Sequence, residues 1–205
     1  NTWLNEIIWR EFYRHLMFAF PELSMSKPFQ PYTDAVAWRT DRDSFQSWIH
    51  GKTGFPLVDA AMRCLKQTGW MHNRLRMVVA SFLCKDLGID WRLGEQYFLE
   101  QLVDADFPSN NGGWQWAAST GADAAPYFRI FNPVRQSERF DPEGAFIRAW
   151  VPELKTLTKK SIHQPNSIER LELDYPNEIV DRRAAKEWVV NEFKMAKQIA
   201  SPVPN

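Results

Sequence analysis

Apolar residues recur at helical spacing along most of this 205-residue chain, and no segment alternates apolar with polar residues in the two-residue rhythm of a strand. That contrast predicts an all-α, multi-helix globule. Leu4, Ile7, Ile8, Phe12, Leu16 and Ala19 fall near one stripe of a first helix over 3–19, stopped by Pro21. Residues 21–42, interrupted by prolines, read as an extended connection, and 43–50 as one or two helical turns. Pro56 sits near the first position of a helix running to about residue 68 and closed by Gly69. The next helix, 71–87, puts Leu75, Val78, Val79, Phe82 and Leu83 on one face with Gly88 as its exit, and another runs over about 92–106. Pro108 and the SNNGG run predict a loop, followed by a short helix over 114–120 and an irregular AAPYFRIFNP segment. Asp141, Pro142 and Glu143 read as N-cap, first-position proline and favourably placed acid of a helix ending near Val151. Residues 152–178 read as loop with little more than one turn, and 178–200 as a surface helix.

The length is that of one domain. Lys plus Arg equals Asp plus Glu at 25 each, so any nucleic-acid partner must be met by a local basic patch rather than a global positive field. Cys64 and Cys84 form no CxxC pair, which excludes a zinc ribbon or a disulfide framework and predicts a reducing, intracellular setting. No run of eighteen apolar residues occurs, so a soluble, untargeted protein without a membrane partner is expected. The chain starts without methionine and already inside a helical pattern, as a piece of a longer protein would. Ten Trp beside 14 Phe and 5 Tyr exceed what a core of this size needs, and point to stacking on bases, on a planar cofactor, or on both.

Three segments concentrate chemistry. In the first helix Glu6, Trp9 and Arg10 are neighbours, with Trp3 and Tyr13 a turn away; they read either as an ion pair beside a core tryptophan or as a polar cluster framed by aromatics. Trp70, His72, Asn73, Arg74, Arg76 and Met77 crowd the start of the 71–87 helix, a face costly as plain core and rich in donors for an anion or an anionic ring. His72 reads as structural, without metal-ligand partners at recognisable spacing. In DADFPSNNGGWQW the groups Asp104, Asp106 and Asn110 are bracketed by Trp114 and Trp116; Phe107 and Pro108 exclude an EF-hand, while a divalent cation on the two aspartates stays an alternative to ring nitrogens or sugar hydroxyls. Arg129, Arg135 and Arg139 against Glu138 give residues 127–139 a net charge of +2.

Together WLNEIIWREFYRHL, GKTGFPLVDAAMR, TGWMHNRLRM, DWRLGEQYF and NNGGWQWAASTGADAAPYFRIFNP resemble the flavin-binding helical domain of class I DNA photolyases, in the photolyase/cryptochrome family, over about residues 3–176. The resemblance implies FAD in its reduced anionic form, a pyrimidine dimer flipped out of UV-damaged DNA, and light-driven electron transfer that splits it. By motif position, Trp3, Arg76, Asp104, Ala105, Asp106 and Asn110 would line the flavin, and Asn73 would lie between flavin and substrate. Glu6 would hydrogen-bond the dimer; Trp9, Tyr13, Trp116 and Met77 would wall its pocket; Arg10, Arg74, Arg129, Arg135 and Gln136 would hold the DNA. Trp38, Trp91 and Trp114 match the family's tryptophan chain for flavin photoreduction. Asn110 resembles the photolyase choice rather than a signalling cryptochrome's, and Met77 with Trp9 and Trp116 favours cyclobutane dimers over (6-4) photoproducts. The resemblance further implies a monomeric bacterial cytoplasmic protein that reaches the nucleoid through DNA. Residues 1–205 would be the C-terminal part of the flavin domain, with the α/β antenna domain, its second chromophore and the first flavin-domain helices lying upstream. A flavin photoreceptor and an inactive fragment are the competing expectations.

Overall fold

The computed structural model describes residues 2–201, and among these there is no β-strand, only one isolated parallel bridge between Arg39 and Ile89. Ten α-helices carry the fold: α1 Thr2–Ala19, α2 Arg42–Ile49, α3 Pro56–Thr68, α4 Asn73–Ser81, α5 Trp91–Gln101, α6 Phe107–Ala118, α7 Pro133–Phe140, α8 Ala145–Trp150, α9 Ser167–Glu172 and α10 Arg182–Ala200. The main core packs α2–α6 around Trp48, Trp91 and Trp114, all essentially fully buried. Smaller clusters lie under α8, around Ile147 and Ile162, and under α10, around Val189 and Phe193.

Helix α3 follows its local punctuation, with Pro56 at its start and Gly69 in the left-handed conformation (φ +69°) at its end. Elsewhere tertiary contacts move the boundaries. The expected 71–87 helix stops being α-helical at Ser81 and widens into a π-turn, Phe82–Asp86, that buries five consecutive side chains. Helix α5 ends at Gln101 rather than near Asp106, because Val103 N turns back to donate to Gly69 O at 2.9 Å. The largest correction concerns SNNGG, which is helix rather than loop. Asp106 caps α6 by accepting from Ser109 N, and Pro108 sits in the first turn, where a missing N–H costs nothing. The short 114–120 helix is the end of this longer one. Helix α7 occupies the basic stretch where no helix was expected, capped by Asn132 with Pro133 at its first turn.

Gly144, rather than Asp141, stands at the N-cap position of α8. Asp141 instead takes the amides of Phe146 and Ile147 from across a turn, each at 3.1 Å. Residues 152–178 hold a 3-10 turn, Pro152–Leu154, and α9 with a capping box of Asn166 and Glu169. Two further 3-10 turns, Pro21–Met25 and Pro31–Ala35, break the connection after α1. Helix α10 begins at Arg182, four residues later than its pattern, because Asp181 caps it. Helix α1 has the expected extent but not the expected burial: Leu4, Ile8 and Phe12 are 49%, 57% and 39% exposed. It lies on α6 through its other side, where Tyr13 covers Gly112 so closely that a β-carbon there would come within 2.1 Å of the ring.

Candidate functional site

Helices α1, α4, α5 and α6 and the turn after α5 enclose a cavity of about 680 Å³, within the usual range for cofactor sites. Helix α1 supplies Glu6, Trp9, Arg10 and Tyr13; α4 supplies Asn73, Arg76, Met77 and Ala80, with Trp70 and Met71 just before it. The post-α5 turn contributes Asp104, Ala105 and Asp106, and α6 contributes Ser109, Asn110, Gly113, Trp114 and Trp116. Three segments far apart in sequence are thus brought to one wall system by the early end of α5 and the start of α6.

The polar groups are held by specific partners. Arg76 donates through Nη2 to both oxygens of Asp104 at 2.9 and 2.8 Å, while its Nε donates to Met71 O at 2.8 Å. The guanidinium is therefore fixed on one side and partly exposed on the other. Asp106 accepts from Ser109 Oγ at 2.6 Å and from Arg14 Nη2 at 2.9 Å. Burial works to raise its carboxyl, but the hydrogen bonds from Ser109 and Arg14 outweigh burial and hold it below the ordinary carboxylate range. Asp106 thus contributes stability that is present at neutral pH and is lost as pH falls through the depressed value. In Arg14→Ala the Asp106 titration is expected to move upward; an unmoved carboxyl resonance in an NMR titration would show that the bridge across α1 and α6 does nothing. Asp104 is thus paired with Arg76, and Asp106 with Arg14 and Ser109. Among the described residues, no group of three His, Cys, Asp or Glu side chains is placed to hold a metal ion.

Asn110 donates through Nδ2 to Glu95 O at 3.0 Å, leaving its Oδ1 without a protein partner among the described residues. Beside it, a β-carbon built on Gly113 meets nothing within 4 Å, so α6 presents a bare backbone strip to the cavity. Trp9 stacks on Tyr13 with ring centroids 6.1 Å apart, and Trp116 leans on Phe131 at 6.3 Å. Burial, with Asp123 a lesser cause, pushes the Tyr13 phenol above its ordinary value. Trp9 is 46% exposed and Arg10 pairs with Glu11 at 3.6 Å, so the reading of Glu6 and Arg10 as an ion pair beside a core tryptophan does not hold.

Other expected site residues lie elsewhere. Trp3 is 76% exposed and outside the cavity lining. Trp91 is buried in the same core as Trp114, and Trp38 packs against both that core and the cluster under α10, so the three tryptophans lie in contiguous packing from the cavity wall to α10. Arg74 stacks over the Phe140 ring at 3.9 Å, where Arg139 also sits at 5.1 Å, making a cationic surface from α4 and α7. Arg129 is exposed on the segment before α7. Arg135 lines a separate cleft of about 730 Å³ between the starts of α7 and α10, and Gln136 has its Oε1 buried without a partner. His72 caps α4, its Nδ1 accepting from Arg74 N at 3.1 Å. Phe98, Leu102, Ala80 and Gly113 line the cavity without having been singled out, since buried apolar residues and a helical glycine look like ordinary packing in a sequence.

An all-helical domain thus gathers an open glycine position, a fixed guanidinium–carboxylate pair and the indoles of Trp9, Trp114 and Trp116 around one cavity, the mix of apolar walls and few polar groups typical of cofactor sites. The sequence matches the FAD binding domain of DNA photolyase over residues 3–195, and the chain belongs to that family. It is 57% identical over 201 residues to a deoxyribodipyrimidine photo-lyase of Salmonella typhimurium, a match covering 97% of this chain and 42% of that protein. A bacterial class III photolyase from Agrobacterium tumefaciens superposes with a TM-score of 0.90 at 48% identity, over 96% of this chain and 42% of the other. A Synechocystis cryptochrome gives 0.85 at 40% identity, over 93% and 41%. The chain therefore spans about two fifths of the length of its relatives.

Proposed function

We propose that this chain is the flavin and lesion site of a light-dependent DNA repair enzyme acting on cyclobutane pyrimidine dimers, of the class I branch. The observation that carries this reading is the single cavity lined by Asn110, the Arg76–Asp104 pair and the indoles of Trp9 and Trp116. FAD, in its reduced anionic form, would supply the light-excitable electron donor. Gly113 leaves room for the ring, Asn110 offers a free amide oxygen to its edge, and Arg76, Asp104 and Asp106 form the polar rim with Asn73, beside Ala105. Trp3, outside the rim, would act only through a larger assembly. Glu6 sits at the mouth to hydrogen-bond the dimer, while Trp9, Tyr13, Met77 and Trp116 exclude water from its apolar faces. Arg10, Arg74, Arg129, Arg135 and Gln136 would hold the DNA backbone. Trp38, Trp91 and Trp114 would carry electrons inward during photoactivation, which their contiguous packing supports.

We read residues 1–205 as the C-terminal part of the flavin domain of a longer, monomeric, DNA-associated cytoplasmic protein whose antenna chromophore binds outside this chain. No helix among the described residues is long and apolar enough to cross a membrane. The direct test is the visible spectrum of the protein with FAD, followed by repair of a defined thymine dimer under blue light. Bound flavin with repair supports the reading; bound flavin without repair favours the photoreceptor alternative that the cryptochrome neighbour represents, and no bound flavin the inactive fragment. Trp116→Ala is expected to weaken binding to dimer-containing DNA by about 1 to 3 kcal/mol, the worth of one base stack. Unchanged affinity would remove Trp116 from the lesion pocket.

A further inference from the structure

The segment between α6 and α7 carries Arg129 but has no helix or strand of its own over residues 121–132. Three of its carbonyls are nevertheless taken by basic side chains from outside it. Lys85, in the π-turn after α4, is 1% exposed and donates through Nζ to Arg129 O at 3.1 Å and to Pro126 O at 3.5 Å. Arg182, at the start of α10, donates through Nη2 to Phe131 O at 2.8 Å, and its Nε is aimed by Asp86 Oδ1 at 2.7 Å. The adjacent residues Lys85 and Asp86 thus secure the middle of the segment directly and its end through Arg182, while the Arg129 and Phe128 side chains point to solvent.

Burial lowers Lys85 to about 8 and raises Asp86 to about 6, against ordinary values of 10.5 and 3.8. The unfolded chain binds more protons at Lys85 between pH 8 and 10.5, and the folded protein more at Asp86 between 3.8 and 6. Burial disfavours the ionised form of each group, and hydrogen bonding offsets that cost. The same hydrogen bonds fix geometry, since they hold three carbonyls of one segment.

We propose that Lys85 and Arg182 are positioning residues that fix segment 126–131 so that Arg129 meets a phosphate of the bound DNA. The proposal rests on the DNA-repair reading above. It is tested with the FAD-loaded protein and a duplex carrying one thymine dimer, measuring affinity from about 50 to 200 mM salt, where each phosphate contact adds about 0.9 to the slope of log K against log salt. Arg129→Ala is expected to make the slope shallower by about one contact. Lys85→Met is expected to do the same, and the double variant no more than either, because both remove one contact. Arg182→Met, at a side chain partly exposed at the start of α10, serves if Lys85→Met fails to fold, and is expected to lower the slope in the same direction. A full slope in Lys85→Met and Arg182→Met, with Arg129→Ala reduced, overturns the positioning role alone. A full slope in Arg129→Ala overturns the phosphate contact and the proposal with it, and leaves flavin binding and repair to be judged separately.

Discussion

In a Gly113→Leu variant the melting temperature stays at or slightly above that of the parent, whereas flavin is no longer retained. A β-carbon at Gly113 meets no atom within 4 Å, so the added side chain enters only the cavity. Replacing a helical glycine by leucine also favours the helix by roughly 0.8 to 1 kcal/mol. The neighbouring position gives the matched control. In Gly112→Leu the β-carbon falls 2.1 Å from the Tyr13 ring, so α1 and α6 must separate, at a cost of about 1 to 3 kcal/mol. The pair separates filling the cavity from disturbing the fold, read by thermal melting and by flavin absorbance after gel filtration. Retention of flavin by Gly113→Leu at the parent's level would mean that the ring lies elsewhere.

Asp59→Ala is expected to have the largest effect on stability, roughly 3 to 5 kcal/mol. Asp59 is fully buried at the first turns of α3 and accepts from Thr53 N at 2.7 Å, Thr53 Oγ at 2.6 Å, Gly54 N at 3.1 Å and Tyr175 Oη at 2.5 Å. Truncation strands these donors away from water and releases both the GKTG turn and the chain after α9. Tyr175→Phe removes one donor and keeps the acceptor, so its cost should be nearer 1 kcal/mol. Urea midpoints at constant m-value measure both. Equal losses in the two variants would show that the carboxylate is not the hub of this network.

What a linear sequence discloses depends on where the determining contacts lie. Helix α3 was legible because Pro56 and Gly69 mark its ends locally. Helix α6 was not: Pro108, Asn110, Asn111, Gly112 and Gly113 disfavour a helix one by one, and it forms because Asp106 caps it and Tyr13 needs the missing side chain at Gly112. The stripe on α1 showed which side is apolar but not which side is covered. Thirteen of the expected site residues line the cavity, from Glu6 to Trp116, because long composite motifs preserve their chemistry. Arg14 is not legible in the sequence, since an exposed helical arginine reads as a partner for Glu11 and nothing local announces a carboxylate 92 positions away. The role of Lys85 was hidden in the same manner, inside a helical stripe that a π-turn redirects.

Helix α1 rests on the body of the protein by one side only, chiefly against α6, with Leu4, Ile8 and Phe18 uncovered on the other. Its opening free energy is therefore expected to be smaller than that of α3 or α5, whose side chains build the main core. Yet Glu6, Trp9, Arg10 and Tyr13, one whole wall of the cavity, ride on it. The pocket can consequently be dismantled by local unfolding of α1 while the remaining helices stay folded, and a ligand bridging α1 to α4 and α6 slows amide hydrogen exchange in α1 first.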